Sequence, residues 1–263
     1  MNASKEWVKN LKDAGYEHHC NSLQDLAQTK KLGRIWKETL RRTGIKPPTT
    51  MFELGCGGGK YLSTLALNGF EVHGIDVSPE VVSRCQNYLL EVSKFADIPV
   101  LATVENADIF HYQSNEKYDL TYHFGVVEHF LDLSERMIVW QKLYELTKPG
   151  GWMMSAVPNG SHFWRGYIRQ NHLCGYHIPE VDYSVKLHEQ EFLDTGLQDV
   201  IAIPWNYFGF AKGIVHGKLN QEIAKFIYLS SNVLIPVAPF PRTAKEKFAH
   251  GLLVIGKKPM SIT

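Results

Sequence analysis

Residues 51–60, MFELGCGGGK, carry the most informative pattern in the chain. A short apolar run reaches Glu53, breaks into a glycine-rich turn over Gly55–Gly59, and continues from Lys60 into a segment of helical character. A strand, a glycine turn and a helix in this order are typical of loops that hold nucleotide-like ligands. Glycines at such a turn permit tight backbone geometry and let a ligand approach where a Cβ atom would collide.

Strand and helix patterns alternate on both sides of this turn. Strands are predicted at residues 50–54, 70–75, 99–104, 118–122, 152–157, 200–203 and 250–256, and helices at 59–68, 79–95, 133–146 and 187–195. Such alternation predicts an α/β fold with a doubly wound, mostly parallel sheet and helices on both faces. Ligands of such sheets bind at the carboxyl ends of the strands.

Additional segments are predicted around this core of the 263-residue chain. Residues 1–48 are predicted to form a helical arm that ends at Gly44 and at the proline pair 47–48, and the arm either covers a sheet edge or forms a lid over the ligand. Residues 49–263 are predicted to form the main domain, with inserts at about 159–187 and 206–249. A helix is predicted within the second insert, around residues 219–229.

The composition argues against several classes of protein. The 28 Lys and Arg residues nearly balance 27 Asp and Glu residues, so no global field favours nucleic acid or an anionic membrane as a partner. Four cysteines without a C-x-x-C pair predict neither a zinc site nor a disulfide framework. The N-terminal residues lack an apolar signal core, and polar residues and prolines interrupt the apolar stretch 226–240. We therefore expect a cytoplasmic protein without stable membrane insertion.

The residues around the glycine turn narrow the choice of ligand. The dinucleotide pattern G-x-G-x-x-G fails because Lys60 stands where its third glycine belongs, and the P-loop pattern is absent. Glu53 would repel a pyrophosphate and attract a cation. Asp76 ends the second strand, where an acid can accept hydrogen bonds from both ribose hydroxyls, and Asp108 follows the third strand, where an acid can accept one from an adenine amino group. The predicted ligand is therefore cationic, with a ribose, an adenine and no phosphate.

In these motifs the chain resembles the class I S-adenosylmethionine-dependent methyltransferases. The matching segments are residues 53–59, 74–78, 107–109, 118–120 and 148–151, whose order and spacing cover roughly residues 50–158. The resemblance implies a Rossmann-like sheet of seven strands whose last strand is antiparallel. It also implies S-adenosyl-L-methionine as the cofactor and S-adenosyl-L-homocysteine as the product.

The resemblance further implies which residues contact the cofactor. They are Glu53, Gly55, Cys56 and Gly57 by the methionine part, Asp76 by the ribose with Val77 next to it, Asp108 and Ile109 by the adenine, and Phe124 and Gly125 past the fourth strand. Several of these residues have an ordinary structural alternative. Glu53 can be a solvated strand-end acid, Asp76 a turn or helix cap, and Cys56 a small turn residue, while Asn106 can take the role of Asp108.

Candidate catalytic residues follow the fourth strand. Glu128 and His129 resemble the E-x-x-E-H segment of the ubiquinone-type O-methyltransferases, but Gly125 replaces its first acid, so no metal site is predicted. The alternative for this pair is an ordinary helix-turn role. His162 and His177 are further candidates, in a predicted acceptor wall that also contains His172, Tyr176 and His188. Residues 205–217 are predicted to close the acceptor pocket from the other side.

These patterns predict an enzyme that transfers a methyl group from S-adenosyl-L-methionine to a small-molecule acceptor, at oxygen or nitrogen. The aromatic content of the predicted acceptor wall favours an aromatic or apolar acceptor. One alternative is a methyltransferase acting on RNA or protein, which the absence of a basic tail and of an N-P-P-[YF] segment disfavours. Another is a non-catalytic relative, which the intact set of three acids disfavours.

Overall fold

The structure, a computed structural model, describes residues 29–96, 99–171, 179–209 and 217–260. Residues 1–28 of the predicted arm lie outside this part of the chain, as do His172, Tyr176 and the predicted catalytic residue His177. None of the described helices combines the length and the apolar character that a bilayer-spanning segment needs.

Seven strands form one sheet in the order β3-β2-β1-β4-β5-β7-β6. In chain order they are β1 (Thr50–Leu54), β2 (Glu71–Asp76), β3 (Ala102–Asn106), β4 (Tyr118–Phe124), β5 (Thr147–Pro158), β6 (Gln198–Tyr207) and β7 (Ala249–Lys257). Neighbouring strands from β3 to β5 are parallel, whereas β7 runs antiparallel to both β5 and β6. The predicted seven-stranded, mostly parallel sheet with an antiparallel last strand is confirmed.

Helices pack on both faces of the sheet. Those with described bounds are α1 (Arg34–Thr43), α2 (Lys60–Ala66), α3 (Pro79–Ala96), α4 (Leu133–Leu146), α5 (Arg165–Gln170), α6 (Val185–Asp194), α7 (Lys218–Val237) and α8 (Arg242–Phe248). A 3₁₀ turn over Val127–His129 follows β4. One core layer joins Phe52 of β1 to Trp140 of α4, and the other joins Met51 of β1 to Trp36 of α1. Alternate residues of β1 therefore point to opposite faces, as the pleat of a strand requires.

The described end of the predicted arm belongs to the second of these layers. Trp36 of α1 is 1% exposed and meets the ring of Tyr122 edge-on at a centroid distance of 4.8 Å. Such an aromatic pair contributes about 0.5–1.5 kcal/mol beyond its buried area. The helix ends at Gly44, whose φ of +70° and N–H bond to the Leu40 carbonyl form the C-terminal cap that the sequence predicts.

Several element boundaries differ from those predicted from sequence; β6, predicted at residues 200–203, extends over Gln198–Tyr207. The third strand, predicted at residues 99–104, begins at Ala102, because pairing with β2 starts where the Val72 N–H donates to the Leu101 carbonyl. The helix predicted around residues 219–229 extends over Lys218–Val237, with Pro236 in its last turn.

Candidate active site

The glycine turn after β1 is held against the ends of β2 and β4. The N–H groups of Gly55 and Cys56 both donate to the Ile75 carbonyl, at 2.8 and 3.1 Å. Gly55 has a φ of +66°, and a Cβ atom there would lie 2.5 Å from Cγ2 of Val126, beyond the end of β4. Only glycine satisfies both the left-handed backbone and this close approach. The turn therefore brings the carboxyl ends of β1, β2 and β4 together.

Asp76 joins this turn to the start of α3. Its side chain is buried, and its two carboxylate oxygens accept hydrogen bonds from the N–H groups of Gly57 (3.1 Å) and Ser78 (3.0 Å). The cap role considered as an alternative is therefore present. Because each carboxylate oxygen carries two lone pairs, these bonds leave acceptor capacity on Asp76 for a ligand hydroxyl.

Glu53 is buried near the carboxyl end of β1 and is not the solvated strand-end acid considered as an alternative. It is 2% exposed, and its carboxylate accepts a 3.0 Å hydrogen bond from the Tyr122 hydroxyl. Burial raises the pKa of Glu53 well above its ordinary value. A cation placed beside this carboxyl would stabilise its ionised form and so lower its pKa.

The segment after β3 lies beside Asp76. Asp108 is half-buried, and its side chain accepts a 3.1 Å hydrogen bond from the Phe110 N–H within its own turn. Asn106, considered as its substitute, donates its side-chain N–H to the Asp76 carbonyl at 2.9 Å. Ile109 packs in the core, 3% exposed. Val77, next to Asp76, is half-buried.

An aromatic wall stands at the end of β4. The ring of Phe124 stacks on Tyr61 of α2 at a centroid distance of 4.0 Å, and Trp36 lies 5.7 Å from Phe124. Gly125 follows with a φ of +67°, and its N–H donates to the Ala156 carbonyl of β5 at 2.9 Å. The left-handed conformation of Gly125 directs the chain from Phe124 toward Glu128.

A cavity of about 1470 Å³ lies on the other side of Tyr61. Its aromatic lining residues are Trp36, Tyr61, Trp205, Tyr207, Tyr228 and Phe240. Its cationic lining residues are Lys31, Arg34, Lys37, Arg41, Arg42, Lys60, Arg242 and Lys245, and Glu38 is the one acid among the described lining residues. Of the segment predicted to close the acceptor pocket, Trp205 and Tyr207 line this cavity, while residues 210–216 lie outside the described part of the chain.

Glu128 is a buried carboxyl group on the turn after β4. It is 1% exposed, and its Oε2 has no hydrogen-bond partner among the described residues. Burial raises the pKa of Glu128 to about 8, an effect strengthened by the Glu180 charge and opposed by Arg165. A carboxyl with this pKa exchanges protons near neutral pH, as a general acid or base must.

His129 is held in one orientation by a backbone carbonyl. Its Nδ1 lies 3.2 Å from the Pro179 oxygen, which can only accept, so Nδ1 carries the proton and Nε2 carries the lone pair in the neutral ring. Burial lowers the pKa of His129 to about 4, although the bond to Pro179 acts in the opposite direction. The imidazole is therefore neutral at physiological pH.

Glu180 completes a group of possible metal ligands with this pair. One ligand atom from each of Glu128, His129 and Glu180 lies within 4.8 Å of the others. Glu180 is also ion-paired with Arg165, which neutralises its charge. The prediction that the turn holds no metal stays a prediction.

Arg165 interacts electrostatically with residues of the turn after β4 and with residues of the segment after β5. Besides pairing with Glu180, it donates to Asp182 at 3.1 Å. Its positive charge also lowers the pKa of Glu128, and it opposes protonation of His129 and His162. The side chains around Arg165 therefore form one electrostatic cluster.

The two described histidines of the predicted acceptor wall lie in different places. His162 is 4% exposed, its Nδ1 accepts from the Trp164 N–H at 3.2 Å, and burial lowers its pKa to about 4. His188 is fully buried, with Nε2 bonded to the Ser155 hydroxyl at 2.7 Å and its ring against Tyr183. His188 is therefore a core residue, and its predicted place in the acceptor wall is wrong.

The family model described as "Methyltransferase domain" matches residues 26–195 of the chain. The chain belongs to this family. The matched residues of the methyltransferase domain include the glycine turn, Asp76 and the turn after β4, but not β6, α7, α8 or β7.

Two curated relatives of this methyltransferase domain are named ubiquinone biosynthesis O-methyltransferase. The protein of Serratia proteamaculans is 28% identical over 160 residues, and that of Photorhabdus laumondii is 26% identical over 159 residues. Each match covers 52% of this chain and 63% of the relative. The chain therefore spans less than two-thirds of the length of these relatives.

Solved structures confirm the fold of the methyltransferase domain. Magnesium protoporphyrin IX methyltransferase of Synechocystis PCC 6803, with bound SAM, superposes with a TM-score of 0.57 at 12% identity and covers 98% of both chains. A SAM-dependent methyltransferase of Archaeoglobus fulgidus superposes with a TM-score of 0.56 at 17% identity, over 90% of this chain and all of that one. At this level of identity, the likeness concerns the fold alone.

Some residues of the site were not predicted from the sequence. Tyr61, Tyr122 and Glu180 contact the predicted residues from elements distant in the chain. Tyr122 carried a usable signal, because it lies in the strand beside β1 and pairs with Glu53 in register. Glu180 carried none, because no local pattern places it beside residue 128.

Proposed function

We propose that this chain transfers a methyl group from S-adenosyl-L-methionine to a small-molecule acceptor, at oxygen or nitrogen, and releases S-adenosyl-L-homocysteine. The observation that supports it is the convergence of Glu53, the glycine turn and Asp76 at the carboxyl ends of β1 and β2, in a chain of the methyltransferase-domain family. A buried carboxyl beside a glycine turn suits a cationic ligand without phosphates.

The residues present fit such a cofactor. In the turn over Gly55, Cys56 and Gly57, a Cβ atom at Gly55 would collide with Val126, and Glu53 would face the positively charged methionine part. The remaining proposed contacts are Asp76 and Val77 at the ribose, Asp108 and Ile109 at the adenine, and Phe124 and Gly125 along the cofactor. The cofactor supplies an electrophilic methyl group, and the protein aligns the acceptor with it and excludes water.

Proton removal from the acceptor would fall to the residues after β4. His129 has its Nδ1–H oriented by Pro179 and its lone pair on Nε2, and Glu128 has a pKa of about 8. Either group can take the proton that an acceptor hydroxyl or amine loses. His162 and His177 are further candidates on the acceptor side.

The aromatic cavity supports an aromatic or apolar acceptor. Six aromatic side chains line it, and Tyr61 connects it with Phe124 at the end of β4. The curated relatives named for ubiquinone biosynthesis point to the same class of acceptor.

We further propose that residues 1–48 act as a lid, that the protein works in the cytoplasm, and that nucleic acid is not its partner.

Calorimetric titration with S-adenosyl-L-homocysteine tests the cofactor assignment directly. We expect saturable one-to-one binding with a dissociation constant in the micromolar range, and absence of heat at high micromolar ligand would refute the proposal. Transfer of a labelled methyl group to a panel of phenols, amines and thiols then identifies the acceptor class.

A further inference from the structure

Helix α7 presents its apolar side outward. The exposed apolar residues along one stripe of this helix are Leu219, Ile223, Phe226, Val233, Leu234 and Val237, of which Phe226 is 71% and Val237 80% exposed. With Ser230 at the position between Phe226 and Val233, the stripe follows intervals of three and four residues, which is the spacing of a single helical face. A helix that covers a protein core normally buries such a face.

The inward side of α7 is held in place by buried side chains and by hydrogen bonds. Ala224 and Ile235 are buried, while the Asn232 side chain accepts from the Tyr207 N–H at 3.0 Å and donates to the Tyr207 carbonyl at 2.8 Å. This paired contact attaches α7 to the end of β6. The outward orientation of the apolar stripe is therefore fixed by the fold.

Cationic side chains border the stripe. Helix α8, which follows it, carries Lys245 and Lys247, and also Arg242, which is ion-paired with Glu189 and Glu246. At the cavity, Lys31, Arg34 and Lys37 have no carboxylate partner among the described residues. The stripe reaches this cavity, because Val233 of the stripe lines it, as do the exposed residues Leu229 of α7 and Phe240. An apolar strip, a basic border and an aromatic cavity thus share one surface.

We propose that this surface binds a lipid bilayer that contains anionic lipids, with α7 lying in the plane of the interface. Its 20 residues carry an apolar stripe suited to the boundary between head groups and acyl chains, and the flanking cations complement anionic head groups. The helix does not qualify as a bilayer-spanning segment. The cavity then opens toward the bilayer, from which an apolar acceptor can enter.

A second copy of the chain fits this surface less well than a bilayer does. In a two-fold dimer the same patch meets itself, so the cationic border of one copy would face that of the other. Like charges brought together at an interface oppose association. Anionic lipid satisfies both the apolar stripe and its border.

Flotation of the full chain with lipid vesicles tests the proposal without requiring methyl transfer, so its failure leaves the proposed enzymatic function untouched. Vesicles of phosphatidylcholine with about 30% phosphatidylglycerol are compared with phosphatidylcholine alone, at low and high salt. We expect binding to the anionic vesicles, weakened by salt. Phe226→Asp should lower the partition coefficient by about tenfold or more, because it places a charge in the apolar stripe.

The matched control is Phe95→Asp, at a phenylalanine of α3 that is 64% exposed. This variant should bind vesicles as the original chain does, and circular dichroism should show both variants folded. Equal binding by the two variants would overturn the proposal. So would absence of vesicle binding together with a dimer, in light scattering, that Phe226→Asp converts to monomer.

Discussion

Asp76 is the residue on which both the turn and the proposed ribose contact depend. Its carboxylate receives two backbone N–H groups, and hydrogen bonds to a charged acceptor contribute about 1.5–3 kcal/mol each. A ligand hydroxyl would use the same carboxylate. The order of the turn and the affinity for the cofactor are therefore linked at one side chain.

We predict that Asp76→Asn weakens binding of S-adenosyl-L-homocysteine by about tenfold or more, because the amide loses the negative charge and one acceptor oxygen. Calorimetric titration measures the change. Asp194→Asn, at an exposed site on α6, is the control and should bind as the original chain does. Unchanged affinity in Asp76→Asn would remove Asp76 from the ribose role.

Glu53 gives a prediction about proton release. Burial raises the pKa of Glu53 well above its ordinary value, which favours the neutral carboxyl in the absence of a ligand, and a cationic ligand would favour the ionised form. Cofactor binding should therefore release a proton and strengthen as pH rises. Calorimetry in buffers of different ionisation enthalpy measures this release. Glu53→Gln should abolish it, and equal release by the variant would exclude Glu53 as its source.

The positions of Glu53, Asp76 and Asp108 at the carboxyl ends of strands were predictable, because each of them ends or follows a strand pattern in the sequence. The cluster around Arg165 was not predictable. Arg165 and Glu180 lie 15 residues apart across a segment without clear periodicity, and their contacts with Glu128 depend on how two loops meet. His188 was misplaced because a helix start in sequence does not reveal that the side chain points into the core.

At the level of elements, the close packing of β2 against the glycine turn positions the site. Gly74 lies on β2, and a Cβ atom there would lie 2.8 Å from Cβ of Cys56 and 3.0 Å from a methyl group of Leu62. Neither neighbour has room to withdraw, since both are buried. Gly74 thus sets how closely the turn approaches the strand.

We predict that Gly74→Ala destabilises the protein by about 1–3 kcal/mol, the usual cost of overpacking, and weakens cofactor binding by displacing the turn. Denaturant unfolding and calorimetric titration measure the two effects. Gly166→Ala in α5 is the matched control, because a Cβ atom at this position meets nothing within 4 Å. If both variants unfold at the same denaturant concentration, the packing argument is wrong.

The periodicity of α7 predicted a helix but not the direction of its apolar face. A pattern of apolar residues indicates which side of a helix is apolar, and burial of that side is an assumption about the surroundings. Here the Asn232 contacts with β6 orient the opposite side inward. The predicted domain boundary after residue 48 and the lid role of the arm stay predictions.

For the whole molecule, the net charge of +1 concealed how unevenly the charges are placed. Balanced totals led to the expectation that no field favours an anionic membrane. The fold gathers eight cationic residues and one acid around a single cavity, from segments separated by as much as 200 residues in sequence. The fold brings these cationic residues together, and a count of charged residues in the sequence cannot show this.

Buried neutral histidines should make the whole fold sensitive to acid. Burial lowers the pKa of His123 to about 3 and the pKa values of His129, His162 and His250 to about 4. The ordinary pKa of histidine is 6.5. Below this pH, the unfolded chain binds protons at these histidines that the folded chain does not bind. The free energy of unfolding therefore falls as the pH falls from about 6.5 toward 4. Glu128, with its pKa raised to about 8, and Glu53, whose pKa burial also raises, work in the opposite direction, but they are two groups against four histidines.

His123 offers the cleanest test, because it is fully buried and neither ring nitrogen has a hydrogen-bond partner among the described residues. With a folded-state pKa of about 3, it should cost the protein about 2 kcal/mol at pH 5 relative to neutral pH. Urea unfolding from neutral pH down to pH 5 measures this loss. His123→Leu should reduce the loss by that amount, because leucine binds no proton in either state. His111→Gln, at an exposed turn, should leave it unchanged, and an equal slope in all three proteins would refute the assignment.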